Sequence, residues 1–221
     1  MPMESREAIQ HKLLVIFLFL SIFSIIYSLC ASKKNSPIFI LLDQIAVGLV
    51  INFIFYITLS FIPEKRKQET ARIIIARRLK YMIGQMKQFP DAIIKQFAPD
   101  ECENRNARLT KASENLDSRW ELDSAGLCLS SSGKYVKWTV GDFLYTKTMR
   151  VEEELDEILR YYSYAVTPEL DELFDKILQT GIHTSLKMWH EHNSPFINAS
   201  DEFVKYDELA DELEKVQRLY G

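Results

Sequence analysis

LLVIFLFLSIFSIIYSLCA (Leu13–Ala31) and IFILLDQIAVGLVINFIFYITLSFI (Ile38–Ile62) are the stretches that decide the fold. The first carries no charge, and the second carries one, Asp43. At 1.5 Å per residue, nineteen residues reach roughly 28 Å and twenty-five roughly 37 Å, against a hydrocarbon core of about 30 Å. Each run is long enough to span, the second with some tilt. The intervening Ser32–Pro37 has room only to reverse the chain. The pair reads as a transmembrane helical hairpin.

A cleavable signal peptide is the competing reading of the first run. Arg6 and Lys12 precede it, as in a signal. The run is longer than the usual apolar region of about 7–15 residues. Leu29 is too large for a cleavage site ending at Ala31, and it also spoils a lipoprotein reading of Cys30. The first segment is expected to be retained.

Charge sets the expected topology. Met1–Pro90 carries 12 Lys/Arg against 5 Asp/Glu, and Asp91–Gly221 carries 15 against 26. Short cytoplasmic flanks collect positive residues. Arg6 and Lys12 lie before the first run, and Lys33 and Lys34 lie between the runs. Lys65, Arg66, Lys67, Arg72, Arg77, Arg78 and Lys80 follow the second. The expected arrangement is a two-span protein of the cell inner membrane with both termini cytoplasmic. Three scattered cysteines fit a reducing compartment, with Cys102 and Cys128 as free thiols. The acidic distal part argues against direct DNA binding.

Inside the second run, Gln44, Gly48, Asn52 and Tyr56 recur every four residues, and Ser60 continues the row. They form a stripe on one helix face. Ser21, Ser24 and Ser28 make a shorter row in the first run. Small and amide residues let helices approach and hydrogen-bond in lipid. Two readings fit: the stripes face each other within one hairpin, or Gln44 and Asn52 join copies of it into a homo-oligomer. Asp43 lies near enough to Pro37 to reach the outer headgroups or pair with Lys34.

Pro63 is expected to end the second span and open a basic helix over 63–89. Ile75, Leu79, Met82 or Ile83, and Met86 mark its apolar face. Lys65, Arg66, Lys67, Arg72, Arg77 and Arg78 are its candidate membrane-surface contacts. The alternative is that the apolar face packs on the domain that follows.

Residues 90–221 read as an acidic, antiparallel helical domain. Pro90 and Pro99 punctuate DAIIKQFA as a helical turn or two. A helix over Asp100–Asp123 is expected from Leu109, Ala112, Leu116 and Trp120. Ser124–Trp138 reads as a small β-hairpin or an ordered loop. Thr139 with Asp142 caps a helix reaching about Ala165. Thr167-Pro168 opens another to Gln179, with Gly181 as an interruption before Thr184–His190. Ser194-Pro195 breaks the chain, and Ser200 caps a last helix, Asp201–Leu219. The fold class is therefore an all-α membrane protein: an N-terminal flank (1–12), a hairpin (13–62), a basic helix (63–89) and the acidic domain, with one small β-hairpin as an option.

Catalytic patterns are lacking. There is no Gly-rich phosphate loop, nucleophile elbow or nucleophile triad, so no enzymatic activity and no cofactor are expected. His183, His190 and His192 lack the spacing of a hydrolytic zinc site and read as surface or helix-end histidines. The acidic clusters Glu152–Glu154 and Asp207–Glu208 read as solvated helix faces. Tyr161, Tyr162 and Tyr164 read as inter-helix packing or as a partner-binding patch.

The hairpin, the basic helix and an acidic domain containing LRYYSYAVTPELDELFDKIL (Leu159–Leu178) resemble the two-span effectors of bacterial antiviral defence encoded beside retrons. The resemblance implies an inner-membrane toxin held silent by a reverse transcriptase and its non-coding RNA. It further implies release when phage disables a host nuclease, and abortive infection through membrane damage.

The charge layout generates a direct test of topology. In a chain whose native cysteines are replaced, Asn35→Cys should react with an impermeant thiol probe on intact cells. Lys95→Cys should react only after lysis. Reaction at Lys95 alone would reverse the expected orientation.

Overall fold

A computed structural model describes residues 37–98, 104–114, 116–130, 132–183, 196 and 199–220, together with seven isolated helical positions between 16 and 27. The fold is mostly helical, with one small antiparallel two-stranded sheet and one long apolar helix. The chain divides into two compact units, Met1–Thr70 and Ala71–Gly221.

In the first unit, Ile16, Phe19, Leu20, Ile22, Phe23, Ile26 and Tyr27 are helical and exposed. Helix α1 (Pro37–Tyr56) passes through a π-helical turn, Ile57–Phe61, into α2 (Ile62–Phe97). Among the described residues, one helix is long and apolar enough to cross a membrane by length and composition, and none of its apolar window is buried. Ser21, Ser24 and Ser28 of the first run, residues 32–36 of the Ser32–Pro37 linker and the Asp43 side chain lie outside the described residues.

Pro63 does not end the helix, contrary to the expectation from sequence. Proline is tolerated in a first turn, and the π turn lies just before it. Ile62 donates its N–H to the Ile57 carbonyl, an offset of five residues. Pro90 does not break the chain either. It is buried inside α2, flanked by buried Phe89, Ala92, Ile93 and Ile94. Burial on both sides outweighs the one backbone bond that proline forgoes. The basic helix is therefore 36 residues long and ends at Phe97.

The core of the second unit is built on α2. Ala71, Ile75, Leu79, Met82, Met86, Phe89 and Ile93 recur at three- and four-residue steps and are all essentially inaccessible. Helix α3 (Arg105–Ser113) is much shorter than the expected Asp100–Asp123. Asn104 caps it by accepting the Asn106 N–H. After Ser113 the chain turns, because Asp117 accepts the Arg119 N–H and so competes with helical bonding. Trp120 thus lies outside any helix, beside Phe97 at 5.6 Å between ring centroids.

The hairpin is present. β1 (Glu121–Leu129) pairs antiparallel with β2 (Tyr135–Thr139) and starts three residues earlier than the sequence suggests. Its register jumps between Leu122↔Trp138 and Leu127↔Lys137, so the segment between Leu122 and Leu127 bulges out of the ladder. Gly126, with φ of 78°, supplies the left-handed residue that this detour needs. Helix α2 supplies the missing partners. The Gln96 amide donates to the Glu121 carbonyl at 2.8 Å and accepts the Ser124 N–H at 3.1 Å. Ser124 Oγ donates to the Ala92 carbonyl at 2.8 Å.

Three helices follow. Thr139 Oγ1 accepts the Asp142 N–H at 3.1 Å and opens α4 (Val140–Tyr162), which closes in a 3₁₀ turn, Ser163–Ala165. Thr167 caps α5 (Pro168–Leu178). A further helical turn begins at Gly181, and Thr184–His190 and Ser194-Pro195 lie outside the described residues. Helix α6 (Ser200–Tyr220) buries Phe203, Tyr206, Leu209, Ala210 and Leu213. Its Phe203 meets Phe89 of α2 edge-on at 5.0 Å. Tyr220 locks the turn between α4 and α5, donating to the Ala165 carbonyl and accepting the Thr167 N–H.

The packing sorts neighbouring residues of α2 by consequence. Leu79→Ala removes a side chain with 0% exposure and should cost about 2–5 kcal/mol. Ile73→Ala, at 69% exposure, should change stability by less than about 0.5 kcal/mol. Denaturant unfolding of the purified chain in detergent, followed by far-UV circular dichroism, measures both.

Candidate functional site

The stripe on α1 stays open. Gln44, Asn52 and Tyr56 are exposed, and Gly48 is half-exposed. Among the described residues, nothing lies within 4 Å of a Cβ built on Gly48, and neither amide makes a side-chain hydrogen bond. A little further on, Thr58 Oγ1 donates back to the Ile54 carbonyl at 2.6 Å, satisfying its hydroxyl within the helix. The π turn that follows is a local irregularity of the same apolar stretch. Gln44 and Asn52 thus retain their full donor and acceptor capacity on one side of an apolar helix, beside a glycine that permits close approach.

The basic residues divide. Lys65, Arg66, Lys67, Arg72 and Arg77 are exposed. Lys65 lies 3.9 Å from Glu69, one turn on. Arg78 is different: it is half-buried and grips Glu154 and Glu157 of α4. The apolar face formed by Ile75, Leu79, Met82, Ile83 and Met86 is buried within the second unit. That burial favours packing on the domain over lipid for this face, and leaves the charged residues accessible together with Ile73 and Tyr81.

Arg78 belongs with Lys87, Arg105 and the more exposed Lys137 of β2 to the cations that each hold two carboxylates. Lys87 Nζ reaches Asp211 at 2.9 Å and Glu214 at 2.6 Å, both on α6. The hydrogen bonds that it donates to these carboxylates raise its pKa. Arg105 of α3 makes a two-pronged contact with Asp207, at 2.6 and 2.9 Å, and a third bond to Asp91 at 2.7 Å. Asp207 is 2% exposed. The acidic clusters are therefore only partly the solvated faces that the sequence suggests: Glu153 and Glu208 are exposed, whereas Glu154 and Asp207 are held by Arg78 and Arg105 from elements far away in sequence, and Glu152 meets His183.

His183 is also misplaced by sequence reasoning. It stands in the helical turn that begins at Gly181, but it is not a surface residue: its side chain is buried, with Nδ1 at 2.8 Å from Glu152 Oε1. Burial lowers its pKa, and the hydrogen bond and charge of Glu152 only partly offset that effect. Nε2 has no partner among the described residues, and the ring lies 5.7 Å from that of Tyr206. Burial drives the Tyr206 hydroxyl well above its ordinary range, an effect that Thr148 opposes only in part; among the described residues neither oxygen makes a well-formed hydrogen bond. Among the described residues, no group of His, Cys, Asp and Glu is arranged to hold a metal. His190 and His192 lie outside them.

Tyr161 and Tyr164 are exposed, whereas Tyr162 packs against the core. Tyr161 and Tyr162 meet at 6.5 Å. Another apolar surface escaped the sequence reading: Leu127, Leu129, Tyr135 and Val136 all stand exposed on the hairpin. Their weak alternation gave no inward face to read. No protein-family model, curated protein or solved structure matches the chain.

The buried histidine gives a pH prediction. Its folded pKa lies below the unfolded value of about 6.5, so the unfolded chain binds the extra proton. Stability should hold above pH 6.5 and fall as pH drops from there toward the lowered folded value. In thermal unfolding between pH 7.5 and 5.5, His183→Asn should lose a large part of the slope seen in the parent chain. An unchanged slope would place the proton uptake elsewhere.

Asp207→Ala leaves Arg105 with Asp91 alone. Breaking a fully buried pair costs about 3–5 kcal/mol; about 2–3 is expected here, because Arg105 is partly solvated and keeps Asp91. Arg105→Met with Asp207→Leu should recover part of the loss in the same unfolding assay.

Proposed function

We propose that this protein is a membrane-acting, non-catalytic effector of a bacterial antiviral defence system of the retron type. In this reading Leu13–Ala31 and Ile38–Ile62 form the two spans, both termini are cytoplasmic, and the α2–α6 body is the control module. A reverse transcriptase with its non-coding RNA holds the chain silent, and release allows copies to assemble and disrupt the inner membrane. The observation that carries the reading is the open stripe: Gln44 and Asn52 are exposed on an apolar helix with Gly48 between them. Unpaired amides in hydrocarbon are costly, so such a face is driven toward a partner. The exposed Lys65, Arg66, Lys67, Arg72 and Arg77 supply cationic contacts for anionic headgroups. The resemblance of the overall layout supplies the biological class.

The exposed apolar hairpin favours a second reading, a membrane-anchored binding module. There Leu127, Leu129, Tyr135 and Val136, with Tyr161 and Tyr164, dock a cytosolic protein or ribonucleoprotein, and the membrane segment is only an anchor.

The stripe separates the two. A transmembrane amide contributes on average about 0.6 and up to roughly 2 kcal/mol across a helix interface. Gln44→Leu with Asn52→Leu should preserve insertion but abolish growth arrest and membrane depolarisation when the chain is induced without its partner. Ile45→Leu and Phe53→Leu should leave both unchanged. Full depolarisation by a correctly inserted double variant would refute assembly through the stripe, and a wild-type chain that never depolarises cells would favour the binding module.

A further inference from the structure

In the second unit, an open cavity of about 340 Å³ lies where α2, the hairpin and α4 meet. Sites of this size are at the small end of those that take organic ligands. Lys95 and Gln88 line it from α2, Trp138 from β2, and Phe143 and Lys147 from α4. The Trp138 and Phe143 rings meet edge-to-face at 5.5 Å, giving the cavity an aromatic wall.

Lys147 is what distinguishes the place. Arg78, Lys87 and Arg105 each hold two carboxylates. Lys147 is half-buried, yet among the described residues no carboxylate stands within ion-pair distance of it. Its ammonium instead sits 5.0 Å from the centre of the Phe143 ring. Burial and the neighbouring charge of Arg150 both lower its pKa, as for a cation short of a counter-charge. The acid on the wall, Asp91, is taken by Arg105 at 2.7 Å. The cavity therefore presents two ammonium groups, an amide and an aromatic face, with its one carboxylate already neutralised. Ser124 is committed as well, since its hydroxyl donates to the Ala92 carbonyl.

We propose that this cavity binds a small planar organic anion, a carboxylate or phosphate monoester carried on a ring system. The ring lies along Trp138 and Phe143, the anionic group sits between Lys147 and Lys95, and the Gln88 amide reads a polar edge. This inference is independent of the membrane reading, because its residues all belong to the second unit.

The test is calorimetric titration of the full chain in lipid nanodiscs. The probes are AMP, UMP and indole-3-acetate, with adenosine and inorganic phosphate as half-ligands. At least one planar anion should bind saturably with Kd on the order of 10–500 μM, and adenosine and phosphate should each bind at least tenfold more weakly. Lys147→Met should weaken binding at least tenfold, and Lys95→Gln about threefold. Circular dichroism and the unfolding midpoint monitor the fold of each variant. If Lys147→Met proves unstable, Lys95→Gln and Gln88→Leu carry the test, each with a loss of about threefold. Absence of saturable binding by every planar anion at 5 mM, binding of adenosine as tight as AMP, or affinities indifferent to the folded variants would each overturn the proposal.

Discussion

The second unit depends on burying a single stripe along α2. Seven side chains from Ala71 to Ile93 are withdrawn from water on one face of one helix. At roughly 25 cal/mol per Å² of apolar surface, that burial is the largest favourable contribution this helix can make. Propensity alone would not carry the helix through Pro90. Packing does so, because every residue around the proline that faces inward has a place to go. Helix α4 and helix α6 share this stripe, and the hairpin is held to the same helix through Ala92 and Gln96.

Charge refines what burial begins. The basic part of the chain meets the acidic part at Arg78 and Lys87, and Arg105 repeats the pattern from α3. Each cation divides itself between two carboxylates, and this geometry fixes helix rotation better than a single contact does. The energetic value of the exposed members is small. Asp207 is the exception, since a carboxylate almost without solvent is compatible with folding only while Arg105 reaches it. The lopsided distribution of charge along the sequence is thus consumed within the fold, and less of it remains for outside partners than the net values suggest.

Local signals were legible from sequence and distant ones were not. Thr139 with Asp142, and Thr167 with Pro168, announced helix starts because a cap and its recipient lie within three residues. The stripe of α6 was legible from its spacing. The hairpin was legible as an option from SSSG and the flanking apolar residues. The continuity of α2 was not, because proline argues locally for a break while burial and a π turn argue against it from elsewhere. Burial of Asp207 and His183 was equally hidden. Their partners lie 102 and 31 residues away, a distance across which residue type says nothing about proximity. Of the candidate site, the stripe could be read because it repeats every four residues on one helix. The cavity could not, because its walls come from three separate segments.

The contact of Lys87 with Glu214 closes a loop of 127 residues, and this has a consequence for biogenesis. The ribosome delivers α2 long before it delivers α6. At about 5–20 residues per second, the interval is roughly 6–25 s. Until α6 emerges, the part of the α2 stripe that it covers has no native cover, although the apolar N-terminal segments have already emerged. The nascent chain therefore passes through a vectorial stage in which part of the apolar face of α2 is open to water, lipid or a chaperone. Proteostasis during that window, rather than the final free energy alone, sets the yield of the finished fold.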